Sequence, residues 1–256
     1  MGTKTKEGLY VKKLLTVAIN SYNVAPLRGC VNDSNNILNA CNANGYQSVQ
    51  LVEDQATKHN IMTKLLEISK ELVDGDKFMF HYSGHGSQIP CNDGTETDGL
   101  MEILCPFDLI NPDGSWNNTF IMDNELHDVF CQFAPGVEIE CLLDCCHSGT
   151  ATRDLKPNVA YRYISAGVIN SQPTVVKFNV SCTREVICWS GCKDEQTSAD
   201  AFLDGTYQGA FTSALLKTTG TRRERFAMLT TILKQAGFPQ EPQLTCAESL
   251  LDQPLF

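Results

Sequence analysis

The chain has 256 residues and a mass of 28.2 kDa, with 42% hydrophobic and 20% charged residues, enough to bury a substantial core in one large domain or two small ones. Its net charge of −10 sets up a negative field that argues against nucleic acid or an anionic membrane as partner, and no apolar run approaches the roughly 20 residues of a membrane span. The start, Met1 to Lys13, is polar and lysine-rich with no apolar signal segment behind it, so a cytoplasmic location is expected.

Strand-like and helix-like segments alternate along the chain. Lys13 to Ile19 is an apolar run that reads as a buried strand. Val31, Ile37, Leu38 and Cys41 recur at helical spacing until Asn44-Gly45 stops them. Tyr46 to Val52 reads as a second strand. Ile61, Leu65, Ile68 and Leu72 form one face of a second helix ended by Asp74-Gly75, and Lys77 to Tyr82 is a third strand. A helix is expected over Asp123 to Phe133, strands over Val137 to Leu143 and Val186 to Ser190, and helices over Phe211 to Leu216 and Arg225 to Ala236. Ser87 to Trp116 and Thr150 to Pro173 read as long loops, which in a compact domain are usually functional or mobile. Strands separated by helices of this length pair in parallel through right-handed crossovers. The expected fold class is therefore α/β, layered, with a mainly parallel central sheet flanked by helices. No repeat, low-complexity tract or long linker divides 1–256, so a single domain is expected.

Twelve cysteines are present. Many lie inside apolar runs (Cys105, Cys141, Cys188), no export signal precedes them and no Cys-x-x-Cys occurs. Reduced, mostly structural thiols are expected, and no structural zinc site.

Charge is unevenly placed. From Phe78 to Thr152 there is no Lys or Arg, while twelve acidic residues lie between Asp93 and Asp144. Such a stretch is either a solvated acidic surface or a field that draws in a basic substrate or a metal ion.

Two reactive segments follow expected strands: His81-Tyr82-Ser83-Gly84-His85-Gly86 and Asp144-Cys145-Cys146-His147-Ser148-Gly149. In open α/β sheets, ligands gather at the carboxyl ends of strands. A Cys and a His from separate strand ends, meeting on one rim, suit thiol nucleophilic catalysis, and glycines beside them leave N–H groups free to face a substrate oxygen. Other chemistries fit less well. His81 and His85 have a helical metal spacing, but the glycines disfavour a helix. A cysteine phosphatase needs an arginine where Ala151 and Thr152 stand. There is no Gly-x-Ser-x-Gly elbow, and Asp93 to Glu102 lacks EF-hand spacing. The bland alternative is buried structural Cys and His.

Taken together, these two segments resemble the metacaspases, the caspase-like cysteine peptidases of non-animal organisms. The resemblance extends to Leu27-Arg28-Gly29-Cys30-Val31-Asn32-Asp33, to the stretch Ser190 to Asp200 containing Gly191-Cys192-Lys193-Asp194-Glu195-Gln196-Thr197-Ser198-Ala199, to Gly209-Ala210-Phe211-Thr212-Ser213-Ala214-Leu215 and to Pro242-Gln243-Leu244. It implies a caspase-like catalytic unit with a large part over about 9–165 and a small part over about 175–256.

The resemblance also implies roles. His85 matches the catalytic histidine and Cys146 the nucleophile, leaving Cys145 non-catalytic and His147 structural. The N–H groups of Gly86 and Cys146 match the oxyanion hole. The family cleaves protein or peptide chains after Arg or Lys, and its basic-specificity pocket matches Cys30, Asp33, Ser83 and Asp144. Two carboxylates there would pair with a guanidinium or ammonium, in keeping with the acidic middle stretch. Otherwise Asp33 is an exposed helix-face residue and Asp144 a turn former. Many metacaspases need calcium, whose matching ligands are Asp98, Asp123, Asn124 and Asp154. The family often has Asp where Asn124 stands, so affinity should fall. Loop solvation and helix N-capping by Asp123 are the alternative. Monomers are the family tendency. Arg153, Lys156, Arg162 and Lys193 are candidate self-cleavage sites, or else ordinary surface residues.

Acidic neighbours should raise the Cys146 pKa, and a protonated His85 would oppose that. Either a thiolate–imidazolium pair or proton removal during attack is expected. The competing functions are a non-catalytic caspase-like scaffold that binds proteins or aggregates, a calcium-independent peptidase, and an enzyme cutting after Asp.

Overall fold

The computed structural model describes residues 10–90, 99–146, 159–164, 182, 184–193, 196 and 198–256. The first half follows the expected order: β1 (Lys12–Ala18), α1 (Cys30–Ala43), β2 (Gln47–Val52), α2 (Lys58–Glu71) and β3 (Lys77–Ser83). Gly45 and Gly75, at φ +82° and +89°, provide the left-handed turns that end the two helical segments. After them come β4 (Gly86–Pro90), β5 (Leu100–Leu104), β6 (Ile121–Met122), α3 (Asp123–Phe130), β7 (Glu138–Asp144) and β8 (Val159–Tyr161). The remainder is β9 (Ile187–Ser190), β10 (Ala199–Leu203), β11 (Thr206–Gly209), α4 (Ala210–Leu216), α5 (Arg222–Gln235), β12 (Gln243–Thr245) and α6 (Glu248–Leu251).

The central sheet has the order β12-β9-β7-β3-β1-β2. Its pairings are parallel except that of β12 with β9. Side chains alternate across it with the two-residue period of a strand. Leu14, Met79, Leu142 and Trp189 face one core with α1, α4 and α5, represented by Ile37, Phe211 and Leu229. Leu15, Val17, Phe78, Phe80 and Cys141 face the other with α2 and α3, represented by Ile61, Leu65 and Leu126. The sheet is thus covered by helices on both faces, as expected of its near-continuous apolar strands.

Several expectations are corrected. Ser87 to Trp116 is not one loop: β4, β5 and β6 form an antiparallel sheet. Its Gly, Asp and Pro content masks an alternation that buries Ile89, Met101 and Ile103. Within Thr150 to Pro173, residues 159–161 form β8, paired with β10. Strands β10, β11 and β12 were not expected. Met122, not Asp123, is the N-cap of α3. Helix α5 starts at Arg222, earlier than expected, because Thr221 and Glu224 form a capping box. Cys131 and Cys182 form a disulfide across 51 positions, which corrects the reading of these two as reduced thiols. No spacing rule could reveal so distant a pair. The other described cysteines are free.

Candidate active site

Strands β3 and β7 are neighbours in register, with Ser83 opposite Asp144. The segments after them therefore leave the same rim side by side, which places His85, Gly86 and Cys146 together at the carboxyl end of the sheet. The two backbones approach so closely that a Cβ on Gly86 would lie 2.1 Å from the Cys146 carbonyl oxygen, so only glycine fits there.

His85 is held from several directions. Its N–H donates to Tyr22 Oη at 3.0 Å, its carbonyl accepts from Tyr82 Oη at 2.8 Å and from Cys105 N at 3.1 Å, and its ring packs on Tyr22 with centroids 4.6 Å apart. Nε2 lies 2.6 Å from the carbonyl oxygen of Ala25. A carbonyl can only accept, so Nε2 carries the proton. Nδ1 is buried with no hydrogen-bond partner, its lone pair open. Ala25 is itself in the left-handed region, at φ 53°, a strained conformation that aims its carbonyl at the imidazole.

Asp33, in the first turn of α1, meets Ser83 and Asp144 behind this rim. All three are fully buried. The Ser83 hydroxyl donates to Asp33 Oδ2 at 2.9 Å, and the Gly209 N–H donates to both Asp33 oxygens at 2.9 and 3.0 Å. Asp144 accepts from Ser198 Oγ at 2.7 Å and from Thr212 N and Oγ1 at 3.0 and 2.7 Å. The Cys30 thiol lies beside Ser83, and its pKa is pushed up, chiefly by burial.

A side chain of the same molecule fills this pocket. Arg162, read from sequence as a candidate self-cleavage site or else an ordinary surface residue, is fully buried. Its Nη1 donates to Ser83 Oγ at 2.7 Å and lies 3.1 Å from Asp144 Oδ1. Its Nη2 lies 2.6 Å from Asp33 Oδ2 and 3.1 Å from Asp200 Oδ1. Its carbonyl oxygen accepts from the N–H of Gly86 at 3.0 Å and of Cys146 at 3.2 Å, while its own N–H donates to Ser198 O at 3.1 Å. Strand β8 ahead of it pairs antiparallel with β10, and behind it Ile164 N donates to Gly86 O at 3.2 Å. An extended segment thus lies across the rim on both sides of Arg162, its carbonyl polarised by two backbone donors and its cation among carboxylates.

The model of the metacaspase, peptidase C14 domain matches residues 12–155. Metacaspase-1A of Aspergillus niger is 32% identical over 94% of this chain and 71% of its own length, and Metacaspase-1 of Botryotinia fuckeliana is 30% identical over 96% and 70%. The chain belongs to the metacaspases. It is a cysteine-type peptidase, and its substrates are proteins. Protein GSU0716 from Geobacter sulfurreducens superposes with a TM-score of 0.73 at 25% identity, over 96% of this metacaspase and 98% of its own chain. Caspase-1 of Spodoptera frugiperda, at 11% identity and a TM-score of 0.59 over 96% and 91%, shares the fold.

In this metacaspase the Cys146 thiol is fully buried, and burial followed by the neighbouring Cys192 pushes its pKa well up. Burial lowers the His85 pKa to about 4, against the opposing backbone groups of Ala25 and Arg162. Both shifts favour the neutral form of the group, the thiol of Cys146 and the imidazole of His85. The thiol donates to Ser198 O at 3.4 Å and accepts from Ser198 N.

His85, Gly86, Cys146, Cys30, Asp33, Ser83 and Asp144 all meet around Arg162. The expected calcium ligands are placed differently. Asp98 and Asp154 lie outside the described residues, as do Arg153, Lys156 and His147. Asp123 and Asn124 are exposed in the first turn of α3, where Asp123 Oδ1 accepts from Asn124 N at 2.7 Å. Among the described residues no three His, Cys, Asp or Glu side chains gather around a metal position. The four expected donors are all oxygens, which suits calcium. Lys193 is exposed and paired with Glu241. Sequence reasoning missed Tyr22, Ala25, Ser198, Asp200 and Thr212. Asp200 and Ser198 sat inside a recognised stretch, whereas nothing local to Ala25 marked it.

Proposed function

We propose that this metacaspase is an endopeptidase that hydrolyses the bond after Arg or Lys, with Cys146 as nucleophile and His85 as the proton carrier. The single supporting observation is Arg162, whose cation lies among Asp33, Asp144 and Asp200 while its carbonyl oxygen accepts from Gly86 and Cys146. That is the pose a residue before a cleaved bond needs, with its charge anchored and its carbonyl polarised.

Attack requires the thiol to leave Ser198 and give its proton to the open His85 Nδ1 as sulfur bonds to the carbonyl carbon. The oxygen gains negative charge and is held by the N–H groups of Gly86 and Cys146. Collapse breaks the C–N bond, and the departing amine takes the proton from His85. Water, deprotonated by His85, then splits the thioester to a carboxylic acid and the free thiol. Asp33 and Asp144 pair with the cation, and Ser83 and Cys30 line the pocket.

The first bond cut on this reading is the chain's own Arg162–Tyr163, and an intact β8 keeps other substrates out. Calcium would be held by Asp98, Asp123, Asn124 and Asp154, where it would supply positive charge between acidic residues.

The test pairs fluorogenic peptides ending in Arg, Lys or Asp, with and without calcium, with N-terminal sequencing of fragments of the incubated chain. Expected are turnover of the Arg and Lys peptides and a fragment starting at Tyr163. Both should be lost in Cys146→Ala and kept in Cys145→Ala. Cleavage surviving Cys146→Ala would overturn the mechanism, turnover of the Asp peptide alone the specificity, and no turnover under any condition would leave the scaffold reading.

A further inference from the structure

We propose that Arg28 and Tyr207 form a second specificity subsite, which takes an acidic side chain two residues before the basic residue at the cleaved bond. The inference rests on the proposed cleavage after basic residues, with the segment 159–162 lying in the groove as a substrate would.

Strand pairing fixes which side chains share this face. Ala160 of β8 stands opposite Asp200 of β10, and Phe202 of β10 stands opposite Tyr207 of β11, both pairs antiparallel. Opposite residues of an antiparallel pair share a face, and so do residues two apart along a strand. Ala160, Asp200, Phe202 and Tyr207 therefore lie on one face of the small sheet. It is the face on which Arg162, two residues after Ala160, meets Asp200. A cleft of about 250 Å³ lies beside position 160, lined by Pro26, Arg28, Val159, Ala160, Asp200 and Tyr207. The single methyl group of Ala160 leaves that space unfilled.

The chemistry of the cleft selects a class of side chain for it. Arg28 Cζ lies 5.0 Å from the centroid of the Tyr207 ring, and its Nη1 donates to Tyr207 Oη at 2.9 Å. These two contacts hold the guanidinium at the cleft. Among the described residues no carboxylate pairs with it, although the chain carries a net charge of −10. Tyr207 Oη accepts from Arg28 and so keeps its own hydrogen to donate. Asp200, the carboxylate that shares the cleft, is engaged elsewhere. Its Oδ2 accepts from the Arg28 backbone N–H at 2.8 Å, and its Oδ1 lies 3.1 Å from Arg162 Nη2. A cation and a hydroxyl donor beside unfilled space suit a carboxylate, because a hydrogen bond to an ionised acceptor is stronger than one to a neutral amide of the same shape. A glutamate at this substrate position should therefore bind better than a glutamine.

The test measures kcat/KM of the incubated full chain for fluorogenic amides of Val-X-Tyr-Arg, with X as Ala, Gln or Glu and the other positions copying Val159, Tyr161 and Arg162. The wild-type chain should favour the Glu peptide over the Gln peptide by about three- to tenfold, and the advantage should shrink as ionic strength rises. Arg28→Gln should bring the Glu-to-Gln ratio to about one, and Arg28→Lys should retain part of it. The ratio is taken within each variant, so a general change in folding or in the nucleophile cancels. Equal turnover of the Glu and Gln peptides by the wild-type chain overturns the subsite, as does a ratio that survives Arg28→Gln. A wild-type chain that cuts none of the three peptides after Arg overturns the cleavage reading itself, and the subsite with it.

Discussion

Arg162 Nη2 lies 2.6 Å from Asp33 Oδ2, a contact between residues 129 positions apart in which neither side chain is exposed. The guanidinium compensates carboxylates that water cannot reach. Even with it in place, burial raises the Asp33 pKa to about 7. Arg162→Gln should therefore destabilise the fold by about 3–5 kcal/mol. A carboxyl raised in the folded state contributes stability at low pH that is lost as the pH rises through its folded pKa. The loss should thus be larger at pH 8 than at pH 6. Urea unfolding at both values checks this, and equal loss at both would contradict it.

His81 and His85 are both fully buried, with pKa values lowered by burial to about 3 and about 4. His81 bonds Thr16 Oγ1 through Nδ1, at 2.8 Å, and its Nε2 has no partner. The unfolded chain takes protons at these histidines below about pH 6.5, while the folded chain refuses them. The contribution of these two histidines is therefore full above that pH and falls as the pH drops towards 4, by about 1.4 kcal/mol per unit for each. His81→Gln should reduce the slope by about one proton. A stability profile flat between pH 7 and pH 5 would rule the account out.

Glu140, buried on β7, accepts from Trp189 Nε1 at 2.6 Å and from Arg222 Nε and Nη2 at 3.0 and 2.6 Å, while Arg222 Nη2 also reaches Glu138 at 2.9 Å. The network ties α5 to the central sheet. Glu138 also pairs with Lys77 at 2.9 Å, but among the described residues Arg222 is the cation paired with the buried Glu140, so Arg222→Ala should cost about 3–5 kcal/mol. Arg222→Ala with Glu140→Gln should recover part of it. Chemical denaturation of the three chains measures this, and additive losses would count against a coupled network.

The Cys131–Cys182 disulfide closes a loop of 51 positions. Restricting the unfolded chain over that length predicts that reduction lowers stability by about 2–4 kcal/mol. Melting curves with and without reductant should separate by that amount, and Cys131→Ser should melt with the reduced protein.

Much of this architecture was legible locally. The apolar run of Lys13 to Ile19 and the helical spacing of Ile61, Leu65 and Ile68 announce buried elements whichever partners they find, because burial on one or both faces imposes a period on the residues themselves. The small antiparallel sheet was not legible, since turn-forming residues around Ile89 and Met101 diluted the alternation. Motif resemblance singled out His85, Cys146, Asp33 and Asp144, which the fold brings to one rim. It could not find Ala25, which acts through a backbone oxygen that every residue has.

Chain order alone determined the layered α/β class, the two reactive strand ends and the acidic character of the middle stretch, because hydrophobic period and charge are properties of neighbouring residues. Which cation those carboxylates hold was decided only in three dimensions. Arg162 looks like any surface arginine until β8 pairs with β10 and carries it into the rim. Only then does the cost of burying Asp33, Asp144 and Asp200 without a counter-charge make its place intelligible.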